Sequence, residues 1–185
     1  PAIETYYQVI EVLLQAGNLV ALGASGIALG RLFLLQGRLT EAGDFYRDLL
    51  ARMGPNASFP AVGILHVGQG EVLYEQNDLE QAAALLRPVW NHMDRRGFWE
   101  LVATSCLLQA RLFRAAGQTG DALAVLQEGT DSLRRSDPPD WLKEIQSLLA
   151  VYLAEEGQVA EAWRLLPDPL VVGERLPGLS IGSRL

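Results

Sequence analysis

The chain has 185 residues, 49% hydrophobic and 20% charged, which suits one folded domain or one stretch of a repeat array and excludes a disordered polymer. Lys plus Arg number 15 against 22 Asp plus Glu, a formal net charge of −7. The only lysine is Lys143, and the arginines are scattered apart from the pairs Arg95–Arg96 and Arg134–Arg135, so no direct nucleic-acid contact is expected.

In chain order the sequence repeats itself with a period of 40 residues. Gly37, Asn77, Gly117 and Gly157 keep that step, as do Gly30, Gly70, Ala110 and Ala150. Ala42, Ala82, Ala122 and Ala162 do so too, each followed four places on by Tyr46, Leu86, Leu126 or Leu166. Small residues renewed at a fixed interval mean stacked copies of one unit.

Residues 1–18 read as a partial copy, with Pro1 to Ala16 as a leftover second helix, because Ala2 and Tyr6 lie 40 places before Ala42 and Tyr46. The first full copy, 19–58, predicts a helix over Leu19–Gln36, with Leu22, Leu29, Leu32 and Phe33 at helical spacing. Gly37 closes it, and Thr40, Glu41 and Asp44 open a second helix over Leu39–Met53 with acceptors and negative charge.

The second copy, 59–97, predicts helices over Phe59–Gln76 and Leu79–Arg96, with Asn77 at the left-handed turn, Asp78 and Gln81 at capping-box spacing, and a kink at Pro88. Copy three, 98–136, predicts Phe98–Ala116 and Thr119–Arg135. Ser136-Asp137-Pro138-Pro139 is a break. Copy four, 137–166, predicts Pro139–Glu156 and Val159–Leu166. Residues 167–185 read as an irregular tail that either covers the last hairpin or docks on a neighbouring molecule.

The expected fold is all-α, a right-handed superhelical solenoid of about four antiparallel hairpins. Gly30 or Ala110 in a first helix is expected to face Ala42 or Ala122 in the second, since anything larger than a methyl group would hold the pair apart.

Cys106 is the sole cysteine, so no internal disulfide is possible, and a reducing cytoplasm is expected. The most apolar stretch, Leu19 to Leu35, carries Arg31 and several small residues, so no membrane span is predicted. The chain begins at Pro1 without a leader pattern and is expected to be a piece of a longer protein.

Residues Leu29-Gly30-x-x-Phe33-x-x-Gln36-Gly37-x-x-x-Glu41-Ala42-x-x-x-Tyr46 resemble tetratricopeptide repeats, whose usual length is shorter by six residues. The longer form is similar to the helical-repeat region of the MalT-type regulators, the large ATP-dependent LuxR-family transcription activators of bacteria. The run Gly63 to Ala82, with Gly70-Glu71-Val72-Leu73-Tyr74-Glu75-Gln76-Asn77-Asp78-Leu79-Glu80-Gln81-Ala82 at its end, carries that likeness, which covers about residues 19–166.

The resemblance implies a module that senses an inducer or partner, between an ATPase and a DNA-binding domain. Neither is present here: there is no Gly-x-x-x-x-Gly-Lys loop and no basic recognition helix. The alternative is a free-standing repeat adaptor that binds a peptide or protein.

In such stacks the first helix of each hairpin lines the concave face. Arg31, Glu71, Arg111 and Val151 share one row there. They form either a charge ladder between repeats or a polar set awaiting a ligand. Tyr74, Thr104 and Arg114 point the same way, and His66 is assigned to the same face. A tyrosine beside arginines and a carboxylate suits a sugar-like inducer or a peptide carboxylate.

No catalytic residue, cofactor or metal site is expected. His66 and His92 are 26 apart without a cysteine partner, Cys106 reads as core, and Ser105 and Ser147 lack an activating pattern. Trp99, beside a hairpin junction, is the candidate interface anchor. A homodimer through exposed end hairpins is among the expected states.

Overall fold

The computed structural model describes residues 2–54, 59–92, 98–134 and 139–166. Among these every regular element is a helix: α1 (Ala2–Gln15), α2 (Leu19–Leu35), α3 (Leu39–Met53), α4 (Phe59–Glu75), α5 (Leu79–His92), α6 (Trp99–Ala115), α7 (Thr119–Arg134), α8 (Pro139–Glu155) and α9 (Val159–Leu165). The tail 167–185, Arg95–Arg96 and the Ser136–Pro138 break lie outside the described residues.

The turns inside the hairpins share one construction. Gly37, Asn77, Gly117 and Gly157 have φ of 71°, 61°, 74° and 79°. In the first, the Gly37 amide donates to Leu34 O at 2.9 Å and the Arg38 amide to Phe33 O at 2.9 Å. The same pair of bonds recurs at Asn77–Asp78, Gly117–Gln118 and Gln158, satisfying carbonyls the helix would otherwise leave unpaired.

Helix starts are less uniform. Asn18 caps α2 by accepting from the Ala21 amide at 3.2 Å. Asp78 accepts from the Gln81 amide at 3.2 Å, but the Gln81 side chain reaches the Asp78 carboxylate rather than its backbone. At α3 the expected side-chain cap is missing: Arg38 holds that position, and its guanidinium takes Glu41 by donating from Nε at 2.7 Å. The α5 helix runs through Pro88 to His92, whose Nδ1 lies 2.8 Å from the Pro88 carbonyl oxygen.

The repeated alanines are inside. Ala42, Ala82 and Ala122 are fully buried and Ala162 nearly so. Tyr46, Leu86 and Leu126 fill the space beyond them, each buried side chain contributing roughly 1.5–3 kcal/mol. Leu166 departs from this role: it is 40% exposed, because the chain turns extended there and no further hairpin follows among the described residues.

Gly70 meets its own hairpin partner, with a Cβ there 3.8 Å from Ala82 O, while Gly30 is crowded first by the Tyr46 ring. A Cβ on Gly30 would lie 2.1 Å from the Tyr46 ring, and one on Gly68 would lie 2.4 Å from the same ring. Tyr46 therefore lies flat between the backbones of α2 and α4. One repeat on, a Cβ on Gly70 would meet Leu108 of α6 at 2.9 Å. Cys106 is buried, with its sulfur 2.9 Å from where a Cβ on Gly129 would be.

The first helices pack consecutively, α2 on α4, α4 on α6 and α6 on α8, while α3, α5 and α7 touch one another far less. An inner layer in close contact and an outer layer spread apart bend the stack, so α2, α4, α6 and α8 line the inside of the curve. No described helix is long and apolar enough to cross a membrane.

Candidate functional site

The inner face carries two adjoining cavities. The first, of about 420 Å³, is lined by Arg31, Leu34 and Leu35 of α2, Glu71 and Glu75 of α4, Arg111 of α6 and Glu144 of α8. The 40-residue row thus does assemble Arg31, Glu71 and Arg111 in one place. Val151 is not among them and is exposed; α8 contributes Glu144, two turns earlier on the same face.

Arg31 is committed. Its Nη2 donates to Glu71 Oε1 at 2.9 Å and its Nε to Glu71 Oε2 at 3.3 Å, a forked pair between neighbouring repeats. Its guanidinium also lies over the Trp141 ring, 5.3 Å from the centroid. Burial works against this charge, but the bond to Glu71 and the nearby Glu144 outweigh it and hold the guanidinium pKa up. Of the row, then, Arg31 and Glu71 form the ladder. Arg111 is half-buried and has no hydrogen bond or ion pair among the described residues, which leaves its donors available in the groove.

Arg114 belongs to a different cluster. It spans to the next hairpin, donating from Nη1 to Glu156 at 2.9 Å and to Thr119 at 2.7 Å, and from Nη2 to Glu155. It also lies over the Tyr152 ring at 5.3 Å. Burial, together with Tyr74, pushes the Tyr152 phenol up, against the opposing pull of Arg111 and Arg114. Tyr74 packs on the core next to this cluster.

Thr104 corrects the expectation for it. The residue is fully buried and its hydroxyl donates to the Glu100 backbone oxygen at 2.7 Å, so it presents nothing to a ligand. Threonine in a helix bonds its own preceding turn when no other partner is nearer. His66 is half-buried in α4, lines none of the cavities described here, and has an Nδ1 without a hydrogen-bond partner. Burial lowers its pKa, against a hydrogen bond to Gln69. No group of three or more His, Cys, Asp or Glu among the described residues has metal-binding geometry.

The second cavity, of about 310 Å³, adjoins the N-terminal half of the inner helices and is mostly apolar. Trp99, Trp141, Ile64, Val20 and Phe98 line it, with Glu100 as its one charged wall residue. Trp99 thus lines a concave pocket. Sequence reasoning missed Glu100 and Trp141. Val20, Pro60, Glu100 and Asp140 form a 40-residue row three turns before the Arg31 row, and that register was the available signal.

Solved structures similar to this fold include TPR-like repeat proteins. BtubC (BKLC) from P. vanneervenii matches with a TM-score of 0.68 at 16% identity, over 97% of this chain and 75% of that one. Two crystals of a Podosopora anserina putative kinesin light chain with nearly identical TPR-like repeats match at 17% identity, over 89% of this chain and 91% of theirs. Their TM-scores are 0.55 for a point variant and 0.53 for the other crystal. At such identities the likeness speaks for the fold. A comparison with curated proteins gave no match. The sequence itself fits the MalT-like TPR region over residues 1–170, nearly its whole length, and the chain belongs to that family.

Proposed function

We propose that the chain is the sensing and interaction module of a MalT-like, LuxR-family bacterial transcription regulator, cytoplasmic and without catalytic activity of its own. The observation that carries this is Arg111. A half-buried guanidinium with no hydrogen bond or ion pair among the described residues, in a concave groove otherwise tied together by the Arg31–Glu71 pair, is a place kept for an incoming acceptor. An effector there contacts α2, α4, α6 and α8 together. It therefore favours the curvature in which those four helices converge, and a coupled switch domain responds to that shift.

Family membership supports the placement beside an ATPase and a DNA-binding domain. The test is the complete gene product: a phosphate-binding loop upstream and a helix-turn-helix downstream are expected, and a product lacking both contradicts the regulator reading. The likeness to kinesin-light-chain repeats favours one second reading, a free-standing adaptor that holds a protein segment in the same groove.

A further inference from the structure

The apolar cavity is chemically unlike the groove beside it. Its walls are aliphatic and indole surface from α2, α4, α6 and α8, and its volume of about 310 Å³ is that of a small-molecule site. Glu100 alone brings charge. Its carboxylate is partly buried, with no hydrogen-bonding side chain among the described residues, and burial pushes its pKa up against the opposing pull of Arg31. Arg31 acts on Glu100 only through space: its Nε and Nη2 donate to Glu71 and its face lies over Trp141.

The charge balance has a direction. Glu71, Glu100 and Glu144 all act on Arg31, so carboxylates outnumber the guanidinium at this junction. An occupant that displaces water from Glu100 strands a carboxylate unless it brings a donor, preferably a charged one. A peptide main chain would bring an amide N–H and a C=O at every residue into walls that offer almost nothing to pair with them.

We propose that this pocket binds a small organic amine, its apolar body against Val20, Ile64 and the indoles of Trp99 and Trp141, and its ammonium group on the Glu100 carboxylate. Trp141 carries Arg31 on its ring, and Trp99 lines the pocket as a second indole, next to Glu100 in the chain, where an ammonium has both a ring and a carboxylate to meet. The inference rests on the reading that the inner face holds the effector, and it names a ligand class for the apolar pocket beside the Arg111 groove.

The experiment is calorimetric titration of the chain with three probes of one shape: phenethylamine, 2-phenylethanol and 3-phenylpropionate. The amine is expected to bind at least tenfold tighter than the alcohol, and the carboxylate not at all. Glu100→Gln should remove the preference for amine over alcohol, and Glu100→Asp should retain part of it. Melting curves of both variants establish that they fold. Equal binding of amine and alcohol, amine binding unchanged in Glu100→Gln, or no heat from any probe overturns the proposal. Binding of the carboxylate alone, lost in Arg111→Ala, overturns the amine class while leaving the inner-face reading standing.

Discussion

Between the first and second hairpins a whole phenol ring, Tyr46, lies between two glycines, Gly30 and Gly68. One repeat later Leu86 holds the equivalent position, and Leu108 stands where Gly68 stood. There Gly70 is kept, but its neighbour is the Leu108 side chain, not a ring from the same hairpin. The two interfaces are comparably buried; Tyr46 and Leu108 are inaccessible and Leu86 is 1% exposed. A stack of repeats therefore conserves the volume of each joint rather than the residue at each place. A larger residue from the outer helix is matched by a smaller one from the next inner helix.

The comparison can be broken most forcefully at Tyr46. Tyr46→Ala should cost about 3–5 kcal/mol, since the slot between two helix backbones cannot collapse. Gly68→Leu should cost about 1–3 kcal/mol or more by driving a side chain into the ring. Combined with Tyr46→Leu it should recover most of that loss, because the pair then reproduces Leu86 and Leu108. Denaturant melts of the two singles and the double measure the coupling; strictly additive losses would mean that the ring and the glycine do not share one space.

A smaller effect sharpens the same point inside the hairpins. Ala82→Leu and Ala122→Leu should each lower stability by about 1–3 kcal/mol, as both methyl groups are inaccessible. Ala162→Leu should cost less, because Ala162 retains some exposure and no later hairpin presses on it among the described residues. Thermal melting of the three variants checks the order.

Much of this was legible in the sequence, for physical reasons. The left-handed turns at Gly37, Asn77, Gly117 and Gly157 admit few residue types, so they mark hairpins wherever they occur. The alanines are fixed by close packing in the same way. The partners of Gly30 and Gly68 were not legible, because a glycine states that something is close without stating what. The site was half legible. The 40-residue step carried Arg31 onto Glu71 and brought Arg111 to the same groove. It could not tell that Thr104 turns back onto its own helix, or that Arg114 is held by Glu155 and Glu156. It also gave no hint that the stack bends enough to bring Trp141 of α8 over Arg31 of α2.

The central claim is that function resides on the inside of the curve. An outer groove provides the contrast, lined by Arg47, Gln69, Leu73 and Gln81 on the side of α3 and α5. The direct measurement is a thermal-shift screen of small ligands against the chain, repeated on Arg111→Ala, Glu100→Gln and Arg47→Ala. The account predicts that ligands raising Tm lose their effect in one or both inner-face variants and keep it in Arg47→Ala. Ligands whose effect survives both inner-face substitutions and vanishes in Arg47→Ala would contradict it.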